Sequence, residues 1–184
     1  MWGDIAIAFL LAFITAFVIT PYTIRLAKKV GAVDYPNDRR INKKPMPRLG
    51  GLAVIAGFMV SAIYLIITMS IEKKVNFAEE GLNRKLIGCL LGAIILGITC
   101  YIDDVKDIKP LVKLAGQVIA AIVVVSSGVL IDNFTIPFKE NSVMLNEVFS
   151  FILTVGWIVG ITNAINLIDG LDGLSSGITL ISCI

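Results

Sequence analysis

The sequence predicts an all-α fold: a polytopic membrane helix bundle with five complete transmembrane helices, the start of a sixth, and the N-terminus outside. Three observations carry this. The 184 residues are 57% hydrophobic and only 16% charged, with mean hydropathy +0.88. Soluble domains hold about 45–50% apolar and about 25% charged residues, so a water-facing globule, a disordered tail and a coiled coil are all excluded. Five charge-free stretches approach the about 20 apolar residues that a helix needs to cross a bilayer core. The basic residues also alternate between rich and poor loops along the chain.

The first stretch covers residues 5–24 and follows Met-Trp-Gly-Asp, which has an acid and no base. With no small-residue cleavage site behind it, this is a signal anchor rather than a cleaved leader. The other four cover residues 49–71, 86–102, 114–131 and 148–168, and a sixth apolar run begins near Leu174. From Leu174 to Ile184 there is too little helix to cross, so the chain reads as a fragment.

The loops assign the sides. The first holds Lys28, Lys29, Arg39, Arg40, Lys43, Lys44 and Arg48, and the third holds Lys106, Lys109 and Lys113. The second offsets its four bases with three acids, and the fourth has only Lys139. An excess of Lys and Arg marks the cytoplasmic side, which predicts cytoplasmic first and third loops and a cytoplasmic end for the fifth helix. Residues 134–139 read as a short strand or interfacial piece without chemistry.

Sixteen bases against fourteen acids give a formal +2, which points to no nucleic-acid partner. The histidine count of zero excludes a His-ligated zinc and an imidazole base. Cys89, Cys100 and Cys183 lie in apolar runs without metal or disulfide spacing and read as small buried hydrophobes.

Three polar clusters fall on the predicted cytoplasmic side. Residues 34–51, DYPNDRRINKKPMPRLGG, contain Pro36, Pro45 and Pro47, which bar a continuous helix, and Gly50-Gly51, which permits close backbone approach. The lysines are equally explained by contact with anionic lipid headgroups. The Pro-Asn-x-Arg and Pro-Arg-x-Gly-Gly frames are not, because topology requires no such punctuation. Residues 101–110, YIDDVKDIKP, place Asp103 and Asp107 on one helical face, with Asp104 about 100° away. Adjacent carboxylates repel unless a cation sits between them or one keeps its proton. Oxygen ligands suit Mg²⁺, with Mn²⁺ as substitute, although a solvated helix end balanced by Lys106 and Lys109 has the same composition. Residues 163–173, NAINLIDGLDG, put Asn163, Asn166 and Gly170 on one face beside Asp169 and Asp172. Polar groups at membrane depth face a cavity or the protein interior, unless they only bond helix to helix. Together the clusters suit phosphoryl transfer between a lipid phosphate and a cytosolic nucleotide.

In these three motifs, in order, the chain resembles the polyprenyl-phosphate N-acetylhexosamine-1-phosphate transferases. The resemblance runs from Asp34 to the end of the chain. It implies transfer of a sugar-1-phosphate from a UDP-N-acetylhexosamine to undecaprenyl phosphate at a bacterial plasma membrane, with release of UMP and a requirement for Mg²⁺. It implies that Asp103 deprotonates or positions the lipid phosphate, with Asp104 beside it near the metal. Asn163, Asn166 and Asp169 would line the nucleotide-sugar site, Asn166 also serving the metal. Asn37, Arg39 and Arg48 would belong to the cytoplasmic loop near the substrates. The PMPRLGG form is similar to the branch that starts teichoic acid, O-antigen or enterobacterial-type polysaccharide with GlcNAc-1-phosphate. The branch that makes peptidoglycan from UDP-MurNAc-pentapeptide carries a PTMGG-like version.

Two departures stand out. Asn42 occupies a position where members often have His, and members run to roughly double this length. The remaining half would supply a further aspartate and a His-rich loop, and a second copy of the chain is an admissible partner. A membrane prenyltransferase would instead show two aspartate-rich motifs, and a transporter or structural subunit would leave the Pro-Arg-x-Gly-Gly loop unexplained. The chain is therefore expected to be the N-terminal half of a transferase and inactive alone. Purified and given UDP-GlcNAc, Mg²⁺ and undecaprenyl phosphate, it should release no UMP, and measurable UMP would refute that expectation.

Overall fold

The computed structural model describes residues 2–36, 44–71, 80–135, 142–169 and 173–182. It is a helical membrane protein. Helix α1 (Trp2–Val30) is longer than the apolar run that nucleates it and continues through Pro21. Its side-chain hydroxyls bond backward, Thr20 to the carbonyl of Ala16 and Thr23 to that of Thr20. Gly31, at φ +80°, ends the helix, and the Ala32 N–H returns to the Ala27 carbonyl at 2.9 Å. Only glycine takes that left-handed position without a Cβ penalty.

Strand β1 (Val33–Asp34) then pairs antiparallel with β2 (Met46–Pro47), Val33 opposite Pro47 and Asp34 opposite Met46. This ribbon leads into α2 (Gly50–Ile71). Helix α3 (Glu80–Lys106) extends beyond the expected 86–102 at both ends, so Asp103 and Asp104 lie in its last turn. Asp107 is not on that helix. It adopts φ +45°, a left-handed conformation that Asp tolerates better than most residues, and its N–H closes the turn on the Asp103 carbonyl at 2.8 Å. The shared face of Asp103 and Asp107 expected from the sequence is therefore broken by the helix stop.

Helix α4 (Pro110–Ser126) corrects the expected fourth span in both directions. It starts earlier because Pro110 suits the first helical position and holds Lys109 extended, at ψ 142°. It stops earlier at Ser127-Gly128, where Gly128 has φ +97° and Arg84 of α3 donates to the Ser126 carbonyl at 2.8 Å. The apolar residues beyond are held differently. The Ile131 N–H donates to Thr154 Oγ1 at 3.0 Å, and the Ile131 carbonyl accepts from Ser150 Oγ at 2.7 Å. Strand β3 (Asn133–Thr135) pairs with β4 (Ser142–Met144), so the short-strand reading holds for its first residues. Helix α5 (Glu147–Ile168) is capped by Asn146, whose side chain accepts from the Val148 N–H, and α6 (Leu174–Ser182) follows.

Among the described residues, four helices, α1, α2, α3 and α5, are long and apolar enough to cross a bilayer. The 17-residue α4 is shorter, about 26 Å at 1.5 Å per residue. The expected five full spans thus become four long helices and one short one. Cys89 and Cys100 correct another expectation: both are exposed at the helix surface, while Cys183 lies outside the described residues. Helix α1 packs on α2, α3 on α4 and α4 on α5. An apolar groove of about 460 Å³ runs along α5 past Phe149, Ile152, Gly156, Trp157 and Gly160.

The α1–α2 contact is close enough to need glycine. A Cβ at buried Gly57 would stand 2.6 Å from the Ala12 carbonyl oxygen and 3.3 Å from the Ala16 Cβ. Gly57→Val should therefore push the pair apart and cost about 1–3 kcal/mol, as overpacking does. Thermal unfolding in detergent measures it, and an unchanged Tm would contradict the contact.

Candidate active site

Three helix ends converge on one side chain. Lys113 stands in the first turn of α4, and its Nζ lies 2.8 Å from Asp103 Oδ2 at the end of α3. The same ammonium donates to Asn166 Oδ1 in the last turn of α5 at 3.1 Å. The Lys113 and Asp103 side chains are only 20% and 21% exposed, so the pair is held out of bulk water, where an ion pair gains more than at the open surface. One turn deeper, Gln117 is buried, and its Oε1 accepts from Asn163 Nδ2 at 2.7 Å. Asn163 Nδ2 also donates to its own helix at Val159 O, 2.9 Å away. Residues 113 and 117 share a face of α4, and 163 and 166 share a face of α5. The two helices are thus joined by two polar rungs.

A second cation gathers a second set of ends. Arg48, between β2 and α2, donates from Nε to Asp34 Oδ1 at the end of β1, and its Nη2 pairs with the same oxygen. Its Nη1 reaches Asp107 Oδ1 at 2.6 Å. Burial works against the charge on Arg48, but the hydrogen bonds to Asp107 and Asp34 outweigh it and hold its pKa above the ordinary value. Beneath this triad Ala27, Ala32 and Leu49 form a small buried cluster, packed against Val30, Leu52, Tyr101 and Val105. Tyr101 and Val105 belong to the last turns of α3, so the carboxylate-bearing helix end packs against the end of α1 and the residues that flank the β1–β2 ribbon.

Of the residues singled out in the sequence, Asp103 and Asn166 meet on Lys113, and Asn163 lies one turn deeper on Gln117. Asp104 is half-buried, within the electrostatic reach of Asp103, Arg48, Lys113 and Asp34. Asp169 ends α5 and is exposed, its N–H bonded to the Ile165 carbonyl at 3.0 Å. Asn37 and Arg39 lie outside the described residues, as do Asn42, Gly170 and Asp172. Lys113 and Gln117 belong to this polar cluster, and sequence reasoning missed them. Lys113 counted only as a topological charge, although a Lys and a Gln four apart on an apolar helix already mark one polar stripe.

Among the described residues no three His, Cys, Asp or Glu side chains gather as a metal cluster. A hard cation at a phosphate site needs fewer, since Mg²⁺ takes one or two carboxylates plus substrate oxygens and water. Asp103 is engaged by Lys113, whereas Asp104 forms no ion pair among the described residues. Asp104 and the Asn166 amide oxygen, which keeps a second lone pair, are donors of the right chemistry.

Comparison with known proteins adds an independent finding. The family model described as glycosyl transferase family 4 matches residues 86–184. A Bacillus subtilis protein named a probable undecaprenyl-phosphate N-acetylglucosaminyl 1-phosphate transferase is 39% identical over 181 residues, covering 96% of this chain and 46% of its own length. A Mycobacterium tuberculosis decaprenyl-phosphate N-acetylglucosaminephosphotransferase is 37% identical, over 94% of this chain and 42% of its own. A Campylobacter jejuni phospho-N-acetylmuramoyl-pentapeptide-transferase is 28% identical, over 92% and 49%. The chain therefore spans about half the length of the curated relatives it matches. No solved structure matches it significantly.

The Gln117–Asn163 rung has a measurable consequence. Gln117→Leu removes the acceptor at 2.7 Å and should destabilise the bundle by about 1–2 kcal/mol, in the range measured for polar bonds between membrane helices. Adding Asn163→Leu should recover part of that loss in thermal unfolding, because no orphaned amide remains. Equal Tm values for the wild type and the single variant would contradict the rung.

Proposed function

The chain belongs to glycosyl transferase family 4, and on that premise we propose that it is the N-terminal part of an integral membrane phosphoglycosyl transferase. The reaction moves GlcNAc-1-phosphate from UDP-GlcNAc to undecaprenyl phosphate and so begins a cell-envelope polysaccharide. An oxygen of the lipid phosphate attacks the sugar-bearing phosphorus, the bridging bond to the other phosphorus breaks, and UMP leaves. The enzyme sits in a bacterial plasma membrane with this end of the bundle facing the cytoplasm, as the seven bases of the first loop and three of the third indicate.

The observation that carries this reading is the single ammonium of Lys113, which ties Asp103 on α3 to Asn166 on α5. It turns three separate sequence elements into one polar end on an otherwise apolar bundle. In this arrangement Asp103 takes up the proton of the incoming lipid phosphate or orients its oxygen. Lys113 offsets the resulting crowd of negative charge. Asn163 and Asn166, fixed from α4 by Gln117 and Lys113, face the nucleotide sugar, Asn163 with its amide oxygen and Asn166 with its amide nitrogen. Asp169, exposed at the end of α5, is assigned to the nucleotide sugar, and Asn37 and Arg39 to substrate binding, on the motif alone. Asp104 and Asn166 would hold Mg²⁺, or Mn²⁺ in its place; the ion supplies charge neutralisation on the phosphate oxygens. The GlcNAc branch is favoured over the muramoyl-pentapeptide branch by the PMPRLGG motif and by 39% and 37% identity against 28%.

Asp103→Asn in the full-length transferase should reduce transfer by at least about a hundredfold, as loss of a general base does. Lys113→Gln should also fall severely, with membrane insertion intact. The check is radiolabelled sugar-phosphate passing from UDP-GlcNAc to undecaprenyl phosphate in membranes, and Asp103→Asn retaining wild-type transfer would sink the reading.

A further inference from the structure

Arg48 was expected beside the substrates, where a guanidinium most simply binds phosphate. Its surroundings give it other work. Two of its nitrogens, Nε and Nη2, meet Asp34 Oδ1, and the third, Nη1, meets Asp107 Oδ1 at 2.6 Å. Every nitrogen of the fork is therefore occupied by a carboxylate of the chain itself. The Asp34 contact is sheltered, with side chains 26% and 29% exposed, whereas Asp107 is 82% exposed. An exposed pair alone contributes little stability. Asp34 is thus the anchor that holds the guanidinium in place, and Asp107 is what that anchored guanidinium holds.

The backbone around Asp107 gives this contact its consequence. Asp107 stands at φ +45°, and its N–H closes the last turn of α3 on the carbonyl of Asp103 itself. Any turn of Asp107 is therefore transmitted directly to the residue that faces Lys113. On its other side Arg48 is tied into the β1–β2 ribbon, since its N–H donates to the Ala32 carbonyl at 3.0 Å. Tyr101 and Val105 rest on the cluster of Ala27, Ala32 and Leu49 below. Apolar packing fixes how far the end of α3 lies from the ribbon but only weakly fixes its rotation, because side chains slide where charges with defined geometry do not. A rotation matters here: the Asp103–Lys113 contact is 2.8 Å long, and a twist of α3 well short of the about 100° between Asp103 and Asp104 already takes Asp103 off the ammonium.

We propose that Arg48 is a positioning residue, a clasp between Asp34 and Asp107 that fixes the rotation of α3 so that Asp103 meets Lys113 and Asn166 while Asp104 is left for the substrates. This rests on the transferase reading and departs from a role for Arg48 in binding phosphate. It assigns Asp34 and Asp107 to the same device.

The test is a double-mutant cycle in the full-length transferase with Arg48→Gln, Asp34→Asn and Asp107→Asn. Asn at position 107 keeps the tolerance for left-handed φ and removes only the charge. Each single variant should lower kcat about tenfold, with KM for UDP-GlcNAc and for undecaprenyl phosphate within about twofold, as a misaligned but occupied site behaves. The Arg48→Gln, Asp34→Asn double variant should be no slower than the worse single, because both break one device. Arg48→Lys should recover only part of kcat, since a compact ammonium cannot bridge two carboxylates in a fixed plane. The proposal is overturned if Arg48→Gln raises either KM about tenfold or more while the two Asp variants are unaffected, which would make Arg48 a substrate ligand. It is equally overturned if the effects simply add. If the wild-type enzyme transfers no sugar-phosphate to undecaprenyl phosphate, the functional reading fails instead. The same variants then report through thermal unfolding in detergent, where non-additive losses of Tm support the clasp and additive losses overturn it.

Discussion

The structure depends on one constraint: a charge carried into an apolar bundle must find its partner within the bundle. Lys113 shows this most directly. It opens a helix whose remaining residues are almost all apolar, and its side chain is 20% exposed. An ammonium there, without a partner, would carry a desolvation cost of several kcal/mol. Asp103 and Asn166 supply the partners, and they come from different helices. Satisfying one cation thus fixes the relative placement of α3, α4 and α5 at one end. The polar end and the helix packing are one arrangement, and a change to the first disturbs the second.

The same constraint explains why α4 is the short helix. Its start is fixed by Pro110, which places Lys113 in the first turn, and its rungs at Lys113 and Gln117 commit it to α5. At its other end the chain does not need to remain helical, because Ser150 and Thr154 on α5 satisfy both backbone groups of Ile131. In a medium without water, backbone leaves a helix only where side chains replace the lost bonds. These two buried hydroxyl residues, 1% and 4% exposed, do that.

Much of this was legible in the sequence. Apolar run length located α1, α2, α3 and α5, and the second and third polar motifs contain Asp103, Asn163 and Asn166. What escaped reading follows from physics that a linear pattern does not carry. The limits of α4 were misjudged because hydropathy continues to Ile131 while the helix is stopped by the turn at Gly128. Asp107 was placed on the wrong surface because a helical wheel assumes a helix, and this one ends at Lys106. The β1–β2 ribbon was invisible because two residues on each side are too few to show alternation. Lys113 went unnoticed because charge counting treats every loop cation alike, although only its contacts separate it from Lys106 and Lys109. The cysteines were taken as buried because an apolar run in a soluble protein faces inward, whereas in a membrane it also faces lipid.

The two cation centres differ in a way that matches the chemistry of their residues. Arg48 meets two carboxylates from separate segments in one plane, a task for a rigid guanidinium fork that stays charged under all relevant conditions. Lys113 meets a carboxylate and an amide, a task for a compact charge on a flexible stem. The flexible centre lies where, in the proposed reaction, phosphate oxygens arrive and leave and contacts must be exchanged. The rigid centre lies one turn away, where nothing needs to move. The proposed reaction gives each a use: one cation that can be shared with an anionic substrate and one that is not drawn away by it. The sheltered Arg48–Asp34 contact supplies the second. On that proposal the two cation centres at this end of the bundle divide substrate handling from helix positioning.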